Sequence, residues 1–156
     1  MRSVSGGPPA PASGVRLGVD VGSVRVGVAV SDPHGILATP VGTFARDGRS
    51  AAVLDRIAVL VDENNVVEVV VGLPRSLSGR EGPAEVAARD FARRLQPRIP
   101  VPITFVDERF TAVTANRILA ERGVRGRKAR ATVDQVAAVQ ILQQHLDILR
   151  SRGDSG

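Results

Sequence analysis

The chain has 156 residues, and its 21 Lys and Arg against 16 Asp and Glu give a formal charge of +5 and a pI near 11.3. Hydrophobic residues make up 43%, enough for the core of one domain, and no apolar run nears the roughly 20 residues of a membrane helix. Cysteine is absent, which excludes disulfides, thiolate nucleophiles and Cys-type zinc sites and fits a cytoplasmic protein.

Residues 1–14 (MRSVSGGPPAPASG) lack an apolar signal-peptide core and read as a disordered leader rich in Pro, Gly, Ser and Ala. Val15 to Val21 and Val24 to Ser31 then alternate with period two, joined by Gly22-Ser23 as a tight hairpin. One face of this pair is aliphatic (Leu17, Val19, Val26, Val28). The other is nearly bare (Gly18, Asp20, Gly27, Ala29). Glycines inside strands mark close approach by a ligand or another backbone, and Asp20 is the only acid on that face. Asp32, ahead of Pro33, reads as a turn residue.

A third strand is predicted over Leu37 to Phe44 and a helix over Ser50 to Asn64. Val66 to Gly72 (VVEVVVG) reads as a central strand covered on both faces. After a loop from Leu73 to Gly82, Pro83 opens a helix to Leu95. A short strand, Ile103 to Val106, ends at Asp107-Glu108-Arg109. Thr111 to Arg122 reads as a helix stopped by Gly123. The last helix is predicted from Thr132, with Thr132 and Gln135 as a capping box, to Arg150, and residues 151–156 as a loose tail. The order β-β-β-α-β-α-β-α-α predicts an α/β fold with a mixed sheet and helices on both faces, in one domain over 15–150.

Three carboxylates stand out. Asp20 has the weakest structural explanation, because a lone acid on a glycine-lined face neither packs nor solvates itself easily. Glu108, with Asp107 beside it as a further metal ligand to consider, sits at a strand end, where open α/β sheets place their crevices. The bland alternative there is a solvated acid pair. Asp134 shares a helical stripe with Ala138, Ile141 and Leu142. Its bland alternative is a dipole contribution of about 0.3–1 kcal/mol near a helix start. Carboxylates that converge repel unless a cation joins them, and hard oxygen donors select Mg²⁺ or Mn²⁺. Two such ions can activate water and stabilise the leaving oxygen in phosphodiester cleavage. His34, in a turn, and His145, late in the last helix, are poorly placed as general bases, and His145 reads as a core or surface residue.

The basic residues point to a polyanion. Arg122 to Arg130 (RGVRGRKAR) puts Arg125, Arg127, Lys128 and Arg130 just before Asp134. Arg25, Arg75, Arg80 and Arg109 add further grips near the acids. All basic residues but Lys128 are Arg, whose fork matches phosphate oxygens, although codon composition gives the same bias. With four Phe and neither Trp nor Tyr, the chain is poorly supplied for base stacking. It is expected to grip backbone and shape more than bases.

Four blocks in order resemble the YqgF family, also called RuvX: LGVDVGSVRVGVAVSD (Leu17–Asp32), VVVGLPRSLSG (Val69–Gly79), DERFT (Asp107–Thr111) and VDQVAAVQILQ (Val133–Gln143). One departure is Ala112, where the family carries a second Thr or Ser. The resemblance implies a ribonuclease-H-like (RNase H-like) sheet and a catalytic, metal-binding triad of Asp20, Glu108 and Asp134 holding Mg²⁺ or Mn²⁺. It also implies a nuclease acting on the 5′ end of precursor 16S ribosomal RNA, with Holliday-junction resolution as the alternative. RNA is the favoured partner and branched DNA the second. A resolvase cuts two strands symmetrically and so needs a two-fold homodimer. Two other classes compete. One is a non-catalytic nucleic-acid-binding module. The other is an actin-like or sugar-kinase ATPase, whose phosphate hairpin resembles Leu17–Asp32 but which needs two such domains.

Overall fold

The three alternating segments form an antiparallel meander of β1 (Arg16–Val21), β2 (Arg25–Ser31) and β3 (Ala38–Ala45). The apolar run forms β4 (Glu68–Leu73), parallel to β1. β5 (Ile103–Asp107) lies parallel to β4, so the sheet order is β3-β2-β1-β4-β5. Helices α1 (Ala51–Glu63), α2 (Pro83–Leu95) and α3 (Arg127–Asp154) complete the described elements, with a 3-10 turn at Gln96–Arg98. This computed structural model describes residues 11, 13–46, 51–75, 80–108 and 127–154, for 127–135 and 153–154 the backbone alone. Most of the leader, the helix expected over 111–122, Arg109 and Arg125 lie outside the described residues.

Alternation decides what each face meets. Leu17, Val19, Val26 and Val28 pack with Leu54 and Ile57 of α1 and Phe91 and Leu95 of α2 in the larger core. The opposite face is bare for a reason visible at Gly18. A Cβ there would lie 2.6 Å from Cβ of Leu142 and 2.9 Å from the Ala138 carbonyl oxygen. The glycine therefore admits the backbone of α3. Gly72 serves the same purpose one strand over, where a Cβ would meet Ile141 Cδ1 at 2.4 Å. Ala29, Val70, Val106, Ala138, Ile141 and Leu142 form the second core between sheet and helix.

Two expectations about α3 need correction. It starts at Arg127, so Thr132 and Gln135 lie inside the helix and form no N-terminal cap, and Asp134 is its eighth residue. Arg127, Lys128 and Arg130 accordingly sit on the helix and not in a loop before it. Arg, Lys and Ala are among the best helix formers, and RKARA carries the helix back past the T-x-x-Q signal. At the other end residues 151–154 continue the helix instead of forming a loose tail. Arg152 in the last turn is favourable there to the helix dipole.

Glu68, the one charge in the apolar run, is buried, and its partners explain it. Oε1 accepts from Arg16 Nε at 2.6 Å and contacts His145 Nε2 at 2.9 Å, and Oε2 accepts from the Thr104 hydroxyl at 2.6 Å. The network joins β1, β4, β5 and α3. Burial pushes the Glu68 carboxyl up, but the hydrogen bonds from His145, Thr104 and Arg16 outweigh it and hold it at about 2, against an ordinary 4.5. A carboxyl depressed in this way stabilises the fold at every pH above 4.5, and that contribution is lost as pH falls from 4.5 toward 2. It amounts to at most about 3 kcal/mol. Urea unfolding is expected to show Glu68→Gln less stable than wild type by that order near neutral pH, with the gap narrowing below pH 4.5 and closing toward pH 2. A gap that does not change with pH would place the cost elsewhere.

Candidate active site

The C-terminal ends of β1, β4 and β5 lie on one edge of the sheet, because the three strands are parallel. Asp20 continues the β1–β4 register (Gly18↔Val70, Val19↔Val71) by one step, which sets it beside Gly72. Glu108 follows β5, and its N–H donates to the Leu73 carbonyl at 3.1 Å, so the ladder runs on. Counting by twos from Val106 puts Glu108 on the α3 face. Its Cδ lies 3.2 Å from where a Gly72 Cβ would be. Gly72 therefore admits both the helix and the Glu108 side chain. Asp20 and Glu108 are each only 2% exposed.

Asp134 lies one turn before Ala138, whose carbonyl meets Gly18, and seven residues before Ile141, which covers Gly72. The backbone of Asp134 thus sits on the sheet-facing stripe. From Ala138, four residues further toward the start of the helix span about 6 Å. The Asp134 side chain lies outside the described residues. Asp107 is not brought to the same place. It alternates to the other face and pairs with Arg75 at 3.8 Å, both side chains more than a third exposed. Arg25 and Arg75 sit at the same edge as Asp20, and Arg80 is exposed ahead of α2. Arg127, Lys128 and Arg130 occupy the first turn of α3, by backbone position alone.

Asp32 is a turn residue, as predicted. Its carboxylate accepts from the backbone N–H groups of Leu37 (2.7 Å), Ile36 (2.8 Å) and His34 (3.0 Å), and these bonds hold it below the ordinary carboxylate range. His145 is a core residue, 3% exposed, and holds Glu68. What sequence reasoning missed is the Arg16–Glu68–Thr104–His145 network. The available signal was a charged residue in the middle of VVEVVVG, which a strand buried on both faces tolerates only with partners.

Two carboxylates buried on one face, with no side chain at Gly72 between them, make a hard-oxygen donor set. Placing two such charges together in a poorly hydrated site is costly unless a cation or a proton accompanies them, and divalent Mg²⁺ or Mn²⁺ matches the donors. Among the described residues no group of three or more His, Asp or Glu gathers. The third acid expected by sequence is Asp134.

An antiparallel meander extended by two parallel strands, with helices on both faces, is the RNase H-like fold. Among solved structures, RuvC of T. thermophilus in complex with a Holliday junction substrate is similar, with a TM-score of 0.56 at 17% identity over 89% of this chain and 96% of that one. T. thermophilus RuvC alone gives 0.53 at 13% identity, covering 88% and 96%. The chain belongs to the RuvX family: residues 14–148 match the family described as "RuvX: Holliday junction resolvase". A relative from Frankia casuarinae is 59% identical over 143 residues, 91% of this chain and 71% of its own length, and one from Mycobacteroides abscessus is 55% identical over 151 residues, 96% and 91%. Both carry the name "Putative pre-16S rRNA nuclease".

Proposed function

We propose that the protein is a metal-dependent nuclease that trims the 5′ end of precursor 16S ribosomal RNA in the cytoplasm. The observation that carries this reading is the pair of buried carboxylates, Asp20 and Glu108, at the C-terminal strand edge beside Gly72. The names of the relatives support the RNA substrate. In this reading Asp20, Glu108 and Asp134 hold two Mg²⁺ or Mn²⁺ ions. Such ions supply water activation and charge neutralisation at the leaving oxygen. Asp20 is the fixed point, held by the most central strand of the three, and Glu108 lies over Gly72 on the same face. The first turn of α3 brings Arg127, Lys128 and Arg130 to the chain segment that carries Asp134, and Arg109 and Arg125 are further proposed phosphate grips by their place in the sequence. Phe91 is buried, and Phe44 and Phe105 pack against the core. This favours grip on phosphate and shape over base stacking.

The family description favours a second reading, resolution of four-way DNA junctions. That reaction needs two sites related by a two-fold axis, hence a homodimer. The experiment compares labelled single-stranded RNA bearing a precursor-like 5′ extension with a four-way junction, each with Mg²⁺, Mn²⁺ or EDTA. RNA cleavage that EDTA abolishes is the expected result. Junction cleavage by a dimer would move the assignment to resolution, and binding of either without cleavage would leave a binding module.

Replacing Arg125, Arg127 and Lys128 together with Ala is expected to flatten the salt dependence of RNA binding. Every phosphate that is no longer neutralised lowers the log–log slope by about 0.7 on a single strand. An unchanged slope would show that the basic run is merely solvated.

A further inference from the structure

Many of the described arginines are already engaged by carboxylates. Arg16 pairs with Glu68, Arg75 with Asp107, Arg89 with Glu85, Arg98 with Asp55 and Arg150 with Asp147. Among the described residues Arg56, Arg93 and Arg152 form no ion pair, and neither do Arg25 and Arg46. The last two bracket one feature, the turn from Gly22 to Val24 that follows β1. Arg25 opens β2 opposite Ala45, and Arg46 is the next residue after β3. Both are half-buried.

Arg46 is held at this turn twice. Its backbone N–H donates to the Val24 carbonyl at 2.8 Å, and its guanidinium Nη1 donates to the Gly22 carbonyl at 2.8 Å. An exposed arginine ordinarily loses much side-chain freedom when it grips a ligand. Here a backbone carbonyl fixes the planar head beforehand, so the cost of ordering at binding is reduced. One hydrogen bond uses one of five N–H donors, and the remaining fork is suited to the two oxygens of a phosphate. Gly22 lies two residues beyond Asp20, about 7 Å of strand. The held guanidinium therefore lies at the same edge of the sheet as the C-terminal end of β1, on the side away from β4 and β5.

From this we infer that Arg46, with Arg25 beside it, is a phosphate clamp for a nucleotide flanking the bond to be cut, and that the nucleic-acid strand crosses the sheet edge from the β1–β2 turn toward β4 and β5. The ligand chemistry is the phosphodiester backbone of a single strand. The inference rests on the nuclease reading for its location, but its test reads binding rather than cleavage.

The probe is a fluorescently labelled single-stranded RNA, with binding followed by anisotropy across a KCl series in EDTA. Arg46→Gln is expected to lower the log–log salt slope by about 0.7, the value for one phosphate neutralised on a single strand, and to weaken binding several-fold at fixed salt. Arg46→Lys keeps the charge and is expected to retain most of the slope. It also guards against a turn that fails to fold without the cation. Arg98→Gln removes an equal charge at the opposite edge of the sheet, just before β5, and is expected to match wild type. Equal slopes for Arg46→Gln, Arg98→Gln and wild type would overturn the clamp, as would failure of the wild type to bind RNA. Cleavage by the same proteins in Mn²⁺ separates the two claims. Equal slopes with intact wild-type cleavage leave the nuclease and remove the clamp. Separated slopes without cleavage leave the clamp on a binding module.

Discussion

Asp20→Asn is expected to lose cleavage in Mg²⁺ or Mn²⁺ by roughly a thousandfold or more, about 4 kcal/mol of barrier, while the protein still folds and still binds RNA. The change keeps the shape of the side chain and removes its charge. Asp20 is 2% exposed on β1, so an isosteric amide disturbs packing little. Removing one formal negative charge from a small carboxylate set strips much of its hold on a divalent ion. RNA affinity is expected to stay the same or rise, because one charge facing the phosphates has gone. Gel-resolved cleavage and anisotropy on the same preparation separate the two effects. Cleavage equal to wild type would remove Asp20 from the chemistry. Loss of binding together with cleavage would make it a structural residue.

The second large effect is on stability. Gly18→Ala is expected to destabilise the protein by about 3 kcal/mol, the upper part of the range for overpacking. The added methyl would lie 2.6 Å from Leu142 Cβ and 2.9 Å from the Ala138 carbonyl oxygen. The obstacles are the root of a side chain and the helix backbone, so relief requires α3 to move as a unit. The same helix carries Asp134 one turn from Ala138, so catalysis is expected to fall with stability. Gly82→Ala is the control. A Cβ there meets nothing within 4 Å, and its cost as an N-cap change from Gly is below about 1 kcal/mol. Chemical denaturation of the two variants should differ by a factor easily seen in the midpoint. Similar midpoints would mean that α3 sits less tightly on β1 than these distances require.

Much of this arrangement was legible in the chain. The period-two alternation of β1 and β2 marked both strands, their faces and the exceptional position of Asp20. The run VVEVVVG marked the central β4, and the spacing of Asp134, Ala138 and Ile141 marked the stripe of α3 that meets the sheet. Other features were hidden because they depend on partners distant in sequence. Nothing local shows that Gly18 and Gly72 make room for one helix, or that Glu68 is matched by Arg16, Thr104 and His145 from three other elements. The start of α3 was misplaced because a capping box is only a local preference of about 1 kcal/mol, which the helix-forming RKARA segment overrides. Asp107 and Glu108 are neighbours in sequence, yet strand alternation sends them to opposite faces, so Glu108 shares the face of Asp20 and Asp107 pairs with Arg75.

Calorimetric titration with Mn²⁺ tests the metal centre most directly, because it needs no substrate and no choice between RNA and junction DNA. Wild type is expected to bind Mn²⁺ with a stoichiometry approaching two, with Asp20→Asn and Glu108→Gln each losing most of that binding and Asp107→Asn retaining it. Identical Mn²⁺ binding by wild type, Asp20→Asn and Glu108→Gln would contradict a metal centre built on these two carboxylates.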